Sequence, residues 1–446
     1  MPNKKIISIP AANADGKNEG YDQESGFGFY EIQGHREKQE DALAWEQYTQ
    51  GELDALTPLQ IAYRLWTTYH HIDQAFRETK KPDGTTASTT VIKGEHLITA
   101  TLADAAAFIV SYNQVGEVMA VERLNHRVHK PTVASEQKRI QDAGGFVIGP
   151  FVAKDFSVFF SGKGSGLSIS RAIGDQELKP VVSADADLQI IQLPQTSLDC
   201  KIQVITTCDG FTDGASGEKQ TKIDHEQYLL ASLRQLNDGK SGLMTENEIA
   251  KALTLKAYQD GSTDNISVSV QTIKPHGQPA SFMGMTGVYD GHGGSCASQY
   301  TAEHIGMELL KQLALSEEDY CKQPFSVQNN KAIFARDNAQ IDPTVKPPLT
   351  SNQIVPEVFA KDTDLKELAR EMNELIAKKR KSFKHTDDET HELDKGAVAL
   401  VQGSNTPKAA AAPSPSSMRH LFFQDTPPDD KTDAVQKQPE AEARLD

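Results

Sequence analysis

The chain has 446 residues, of which 38% are hydrophobic, and a formal net charge of −16. That length allows one large domain with extensions or two or three ordinary domains, and the modest hydrophobic fraction predicts that part of the chain lies outside a core. The negative charge argues against a nucleic-acid-binding surface, which needs Lys and Arg for phosphate contacts, and suits a protein that gathers divalent cations.

The N-terminal half of the chain is predicted to contain several strands and two helices. Residues 1–25 are polar and predict a loose arm, and strand-like alternation begins at Phe27 in FGFYEIQ. Apolar residues at helical spacing predict a helix over 58–79. Three short strands, STTVI, HLITATL and AAFIV, then form a meander, and a further helix over 133–142 ends before a pair of glycines.

The following segments alternate between strands and helices. A strand, KIQVITT, runs into Asp209, and two helices are predicted over 224–237 and 246–258. NISVSVQTI is a predicted strand, and the linker KPHGQPAS connects it to GMTGVYDGHGG and a helix over 295–315.

Composition divides the chain into four parts. A flexible arm over 1–25 precedes a folded domain over 26–315. An extension follows over 316–385, with one predicted helix over 364–382. Residues 386–446 are rich in Pro, Ala, Asp, Glu, Ser and Gln, which predicts a disordered tail.

The cysteines and the hydropathy bear on the cell compartment. Cys200, Cys208, Cys296 and Cys321 show no CxxC spacing, so neither a zinc site nor a disulfide framework is indicated. No apolar run approaches the ~18 residues that a membrane span needs, and the N-terminal apolar stretch is too short for a signal peptide. We expect a cytoplasmic protein with reduced thiols and no membrane span.

Acidic residues follow strand-like segments at three places. Asp209, Asp264 and Asp290 each lie beside Gly or Asn, and a fourth acidic pair is Glu40-Asp41. A lone Asp-Gly is more often a plain turn, but three such residues after apolar strands indicate carboxylates at the rim of a sheet. An all-oxygen ligand set suits Mg²⁺ or Mn²⁺, and this number of carboxylates suggests a site for two ions that activate a water molecule.

These segments resemble the signature motifs of the metal-dependent protein phosphatases, the PPM or type 2C serine/threonine phosphatases. The matching motifs are QGHREKQEDA, DGTTAST, TLADAAAFIV, NHRVHKPTVASEQKRIQDAGGFV, LSISRAIGD, TTCDGFTD, GSTDNISV and GVYDGHGG. They cover residues 26–315. The resemblance implies an α+β fold, a four-layer α-β-β-α sandwich of two antiparallel sheets flanked by helices.

The resemblance also implies which residues hold the metals. Asp290 would bridge two Mg²⁺ or Mn²⁺ ions, and the carbonyl of Gly291 would complete the coordination of one of them. Asp209 and Asp264 would bind the first ion, and Glu40 would bind the second.

Four further residues acquire roles from the same resemblance. Arg36 would hold the substrate phosphate, and its forked guanidinium suits phosphate oxygens. His292 would protonate the leaving alkoxide. Asp104 matches an aspartate that helps to hold a weaker third ion in some members, and Asp41 would support the ligands from behind.

The order of the motifs departs from the family. The DGHGG strand–helix unit normally follows the Glu-Asp motif closely, but here it lies behind GSTDNISV. About a dozen residues separate Ile273 from Thr286, and they can span up to ~40 Å when extended. We therefore predict that Asp290 returns to the same site within one monomeric chain. The alternative is a domain-swapped dimer.

Three other features have a structural and a functional interpretation. Arg171 in LSISRAIGD is interpreted as a member of a structural ion pair rather than a site residue. His129 is interpreted as a surface or core histidine rather than a ligand. The stretch between Gly145 and Leu167 is longer than usual, and it either shapes substrate choice or is a plain surface excursion.

Two hypotheses for the function remain. The first is a protein serine/threonine phosphatase, a hydrolase with a phosphoprotein substrate and no nucleic-acid partner. The second is a pseudophosphatase, a phosphoprotein-binding scaffold that has lost metal ligands. The core ligands Glu40, Asp209, Asp264 and Asp290 are all present, which favours the enzyme.

Overall fold

A computed structural model describes most of the chain up to residue 341. The described residues are 3–6, 16–49, 56–124, 127–155, 166–193, 201–213, 225–273, 282–339 and 341. The predicted helix over 364–382, the tail over 386–446 and the linker over 274–281 lie outside them. Among the described residues, no helix combines the length and the apolar character needed to cross a membrane.

The described residues form strands and helices that alternate along the chain. The strands are β1 (Asn3–Ile6), β2 (Lys17–Asp22), β3 (Phe27–Ile32), β4 (Ala42–Thr49), β5 (Gly84–Thr85), β6 (Ala87–Lys93), β7 (His96–Leu102), β8 (Ala106–Tyr112), β9 (Val118–Arg123), β10 (Phe146–Ile148), β11 (Phe151–Ala153), β12 (Ile173–Gly174), β13 (Asp187–Gln192), β14 (Ile202–Thr207), β15 (Ile266–Ile273), β16 (Phe282–Tyr289) and β17 (Gly291–His292). The α-helices are α1 (Pro58–Glu78), α2 (Ala134–Asp142), α3 (Asp209–Asp213), α4 (His225–Gln235), α5 (Glu246–Gln259), α6 (Cys296–Leu313), α7 (Glu317–Cys321) and α8 (Lys331–Asn338).

Two six-stranded antiparallel sheets form the centre of the fold. The first sheet has the strand order β1-β4-β16-β6-β7-β13, and the second has the order β2-β3-β15-β14-β8-β9. Phe27 and Phe29 of the second sheet pack with Leu43, Trp45 and Val288 of the first, so the sheets lie face to face. The predicted pairing of two antiparallel sheets is confirmed.

Helices cover the outer faces of both sheets. Helices α1 and α6 pack on the first sheet in one apolar cluster, which includes Leu65, Trp66 and Leu309. Helices α4 and α5 cover the second sheet, where Leu229 and Leu253 are fully buried. Fully burying one such aliphatic side chain contributes about 1.5–3 kcal/mol, so the core dominates the stability of the sandwich. The expected α-β-β-α layering is therefore present.

Strand β16 fills the middle of the first sheet although it comes late in the chain. It pairs antiparallel with β4 on one side and with β6 on the other. Tyr289 lies opposite Ala42, so the end of β16 and the start of β4 share one edge of the sheet. The strand of the DGHGG unit thus takes an interior position in the first sheet.

Two described parts of the predicted N-terminal arm form strands. Strand β2, within the predicted arm, pairs with β3 at the edge of the second sheet. Strand β1 pairs with β4 at the edge of the first sheet. Both strands lie at sheet edges with a single neighbour, and edge strands are often short and polar, which explains why their sequences give a weak strand signal.

The fold also continues past the predicted boundary at residue 315. Tyr320 and Phe334, from α7 and α8, are buried, and Phe334 belongs to the apolar cluster of the first sheet. The backbone N–H of Leu188 in β13 donates to the side chain of Asn338 at 2.7 Å. Helix α8 therefore completes the edge of the first sheet beside β13.

Candidate active site

The predicted ligands lie at strand ends on one side of the sandwich. Asp209 follows β14, and Asp264 precedes β15. These strands are antiparallel neighbours, so both residues lie at the same end of the strands of the second sheet. Asp290 follows β16 and Asp41 precedes β4 at the corresponding edge of the first sheet. The two edges meet, and the acidic residues from both sheets converge.

Contacts between carboxyl groups show how close this convergence is. The carboxyl of Asp290 lies within hydrogen-bonding reach of that of Asp209, with Asp264 nearby. Ligand atoms of Asp41, Cys208 and Asp290 lie within 4.8 Å of one another, as do those of Asp209, Asp213 and Asp264. The chain therefore brings Asp290 to Asp209 without a second protomer.

The crowding of carboxyl groups raises their pKa values. Desolvation, together with the negative charge of Asp209, raises the pKa of Asp290 well above its ordinary value. Desolvation and the neighbouring Asp104 and Asp213 do the same for the pKa of Asp209. Burial raises the pKa of Asp41 to about 7. Like charges held this closely favour either protonation or a bound cation.

The donor set fits divalent cations with a preference for oxygen. The buried Oδ1 atom of Asp209 is reached by no donor group among the described residues. Apart from the Cys208 thiol, the two acidic groups offer only carboxylate oxygens, which Mg²⁺ and Mn²⁺ favour. A buried carboxylate oxygen that no donor reaches, beside other carboxylates, is typical of a site that binds a cation.

Glycines allow the backbone segments of this site to approach each other. A Cβ on Gly291 would lie 2.3 Å from the carbonyl oxygen of Glu40, so only glycine fits there. That carbonyl also accepts a hydrogen bond from the Ser298 hydroxyl, while the Glu40 N–H donates to Asn265 Oδ1 at 2.9 Å. The carbonyl of Asp290 accepts from the backbone N–H of Thr86 at 2.9 Å. These bonds fix the backbone around the predicted ligands.

Arg36 lies at the mouth of the acidic cluster. Its Nη2 donates to Asp264 Oδ2 at 2.5 Å, and the side chain remains 37% exposed. The negative charges of Asp209 and Asp290 also stabilise the positive charge of this guanidinium. A guanidinium that is held by a carboxylate yet open to solvent can still present N–H groups to a phosphate.

Asp104 has a different neighbour from the one expected of a third-metal ligand. The ammonium of Lys130 forms an ion pair with its Oδ2. Burial opposes ionisation, but the charge of Lys130 outweighs it, so the pKa of Asp104 is lowered. The negative charges of Asp209 and Asp213 also stabilise the ammonium of Lys130. An internal cation therefore lies where the resemblance places a weak third ion.

Two residues near the predicted ligands were not identified from the sequence. Asp213 lies four residues after Asp209 on α3, and this spacing on one helical face was the available signal. Asp175 Oδ2 lies 2.8 Å from Nε2 of His292. Burial opposes protonation, but Asp175 outweighs it and raises the pKa of His292. No local pattern signals Asp175, because the pairing depends on the fold.

Arg171 and His129 have structural environments. Arg171 is fully buried and forms ion pairs with Glu136 and, at 3.0 Å, with Asp337. His129 is also buried, and its Nδ1 accepts from the backbone N–H of Ala103 at 3.0 Å. Both residues support the loops around the site rather than line it.

The sequence matches the family model described as protein phosphatase 2C over residues 25–266. It is 32% identical over 207 residues to a probable protein phosphatase 2C 59 of Arabidopsis thaliana, covering 45% of this chain and 55% of that protein. It is 33% identical over 207 residues to a probable protein phosphatase 2C member 13, mitochondrial, of Oryza sativa subsp. japonica, covering 46% of this chain and 47% of that protein.

The chain thus spans about half the length of the curated relatives that it matches. Among solved structures, a serine-threonine phosphatase 2C from Toxoplasma gondii is similar, with a TM-score of 0.39 and 17% identity. That alignment covers 61% of this chain and 99% of the other chain. The DGHGG segment at 290–294 lies beyond the region that the family model matches.

Proposed function

The chain belongs to the protein phosphatase 2C family, and from this premise we propose that it is a metal-dependent phosphoprotein phosphatase that hydrolyses phosphoserine and phosphothreonine. The observation that carries the proposal is the convergence of acidic groups from both sheets, with Asp41 and Asp290 in one cluster and Asp209, Asp213 and Asp264 in the neighbouring one. These residues come from different sheets and from segments in an unusual order. Their convergence builds in this chain the acidic centre that the reaction needs.

Five residues would hold two Mg²⁺ or Mn²⁺ ions. They are Glu40, Asp209, Asp264, Asp290 and, through its carbonyl, Gly291. When bound, the ions supply Lewis-acid activation of water and neutralise charge on the phosphoryl group. Asp41 accepts a hydrogen bond from the Ser267 hydroxyl at 2.6 Å behind this set. It would orient the ligands rather than touch the substrate.

Arg36 and His292 would act on the substrate. The exposed part of the Arg36 guanidinium would bind phosphate oxygens and place phosphorus over the acidic centre. His292 lies on β17, two residues after Asp290, with Glu40 and Asp104 close enough to stabilise its charge. It would donate a proton to the leaving serine or threonine oxygen as the P–O bond breaks.

Substitution of the central aspartates tests this assignment. With Mn²⁺ or Mg²⁺, the purified protein should hydrolyse p-nitrophenyl phosphate and a phosphothreonine peptide, and EDTA should abolish both activities. Asp209→Asn and Asp290→Asn should each lower kcat about 100-fold or more, because each removes charge from the ion site. Asp142→Asn, at an exposed position on α2, is the matched control and should retain activity.

Two outcomes would contradict the proposal. Full activity of Asp290→Asn would remove that residue from the ion site. Binding of a phosphopeptide without turnover under any divalent ion would instead support the scaffold hypothesis.

A cytoplasmic location stays a prediction, and it draws support from Cys208, Cys296 and Cys321, which are free thiols.

A further inference from the structure

His292 has a carboxylate partner outside the acidic centre. Its Nε2 lies 2.8 Å from Oδ2 of Asp175, whose side chain is 7% exposed. Asp175 follows β12, far from the predicted ligands in sequence. A carboxylate can only accept a hydrogen bond, so this contact places a proton on Nε2 of His292. Nδ1 is then the ring nitrogen that remains for the substrate.

A small third sheet sets the distance between the two residues. Its strand order is β12-β5-β17, and Gly84 in β5 is paired with Gly174 on one side and with His292 on the other. A Cβ on Gly84 would lie 2.1 Å from Oδ2 of Asp175 and 2.6 Å from Nε2 of His292. Only glycine at this position lets the carboxylate reach the imidazole.

The backbone at Asp175 is held in an unfavourable conformation. Its φ is +49°, in the left-handed region, which L-residues other than glycine rarely adopt. Its N–H donates to the carbonyl of Asp83 at 3.1 Å, and the N–H of Gly174 donates to Asp73 Oδ1 at 2.9 Å. Surrounding bonds therefore enforce a strained geometry, and the carboxylate of Asp175 is directed at His292.

We propose that Asp175 is a positioning residue that fixes the orientation and tautomer of His292, so that Nδ1 is the nitrogen that protonates the leaving group. This inference rests on the proposed phosphatase function. Nδ1 gives its proton to the serine oxygen as the P–O bond breaks, and it regains a proton from solvent. The oxygen and one hydrogen of the attacking water stay on phosphorus, and its second hydrogen leaves to solvent as a proton. The proton on Nε2 stays in the hydrogen bond to Asp175.

The dependence of the rate on the leaving group separates this role from general structural support. A nitrophenolate leaves without a proton, whereas a serine alkoxide needs one, so loss of the acid affects only the second. Asp175→Gly suits the test because glycine adopts a φ of +49° without strain. We expect kcat for a phosphoserine peptide to fall about 10-fold or more while kcat for p-nitrophenyl phosphate changes less than about twofold.

Two further variants complete the comparison. His292→Gln should show the same substrate-dependent loss, and the double variant should lose no more than His292→Gln alone, because both changes remove one function. Asp73→Asn is the matched control, since it disturbs the same β12 segment without touching His292. Asp73→Asn should change kcat for the phosphoserine peptide and for p-nitrophenyl phosphate by the same factor. An equal loss on both substrates in Asp175→Gly would overturn the inference while leaving the phosphatase function intact.

A spectroscopic test does not depend on turnover. In protein labelled with ¹⁵N-histidine, the signal missing from His292→Gln identifies this ring. We expect Nε2 to be a protonated nitrogen in the wild type and to exchange between tautomers in Asp175→Gly. An unprotonated Nε2 in the wild type would overturn the inference. A wild type that hydrolyses neither substrate with any divalent ion would overturn the proposed function itself.

Discussion

Single glycines decide how closely the backbone segments that carry the predicted ligands approach each other. The carbonyl of Glu40 approaches Gly291, and the carbonyl of Asp264 approaches Gly34, where an added Cβ would lie 2.0 Å away. Close backbone approach of this kind needs glycine, because any side chain would push the segments apart. Gly291 thus lets two segments of the first sheet pack closely, and Gly34 does the same for two segments of the second sheet.

Substitution of Gly291 by alanine should therefore weaken metal binding. The new Cβ would lie 2.3 Å from a backbone oxygen, so the β17 segment must move away from Glu40. We expect affinity for Mn²⁺, measured by calorimetry, to fall about 10-fold or more while the fold is kept. Gly94→Ala is the control: Gly94 has a left-handed φ of +55° and open space around it, so the variant should lose stability without losing affinity for Mn²⁺. Equal Mn²⁺ affinity in both variants would show that the close approach does not matter.

Glu31 is a buried acid away from the centre, and it links stability to pH. Burial, only partly offset by a hydrogen bond from Asn18, raises its pKa to about 8 from an ordinary 4.5. At a pH below 4.5, Glu31 is protonated in both the native and the unfolded state, so its burial causes no loss in the free energy of unfolding. As pH rises towards 8 the unfolded chain ionises first, so the native state loses up to about 1.4 kcal/mol per pH unit.

The variant Glu31→Gln should remove this loss. We expect its advantage in the free energy of unfolding to grow between pH 5 and pH 8 and then to level off. Urea denaturation at several pH values measures it. A constant difference between the two proteins across this range would show that Glu31 titrates normally.

At the scale of elements, the C-terminal helix α8 is a structural part of the sandwich. Asp337 pairs with the fully buried Arg171, and Asn338 binds the backbone of β13. Asp337→Ala would remove one carboxylate partner of this guanidinium while Glu136 stays, and loss of a hydrogen bond to a charged group costs about 1.5–3 kcal/mol. We expect a matching loss in urea denaturation, while Asp142→Ala on the exposed face of α2 should change stability by less than about 0.5 kcal/mol. A small effect of Asp337→Ala would mean that α8 is dispensable.

Elements with strong local signals were predictable from the sequence. Helix α1 begins at Pro58 after the cap Thr57 and buries one apolar face, so periodicity and capping both identify it. Strand β4 was missed because polar residues interrupt it, although Trp45 is buried and donates to Gln271 Oε1 at 2.8 Å. Helix α8 was missed because its burial comes from ion pairs and contacts with segments far away in sequence. The local helix propensity of a segment does not depend on such contacts, so it cannot predict them.

The same distinction applies to the candidate site. Asp209, Asp264 and Asp290 were predictable because each follows or precedes a strand in a characteristic motif. Asp175 was not, because its contact with His292 requires the pairing of β5 with both β12 and β17. The pairing of Lys130 with Asp104 is likewise visible only after folding.

At the scale of the whole molecule, the acidic centre is complete within one chain. Asp209 and Asp290 meet in a single protomer, so the specific activity should be independent of protein concentration. A dilution series from micromolar to low nanomolar, followed by light scattering at the upper end, measures this. A fall in specific activity that accompanies dissociation would instead support exchange of the β16–α6 unit between protomers.

The interior position of β16 has a consequence for how assembly of the fold could be controlled. A cut between residues 273 and 282 would divide the polypeptide into two fragments, one with Asp209 and the other with Asp290 and the middle strand of a sheet. Neither fragment alone would bury the sheet or assemble the ion site. The two fragments, fused to two interacting proteins, should therefore regain the proposed phosphatase activity only when those proteins associate.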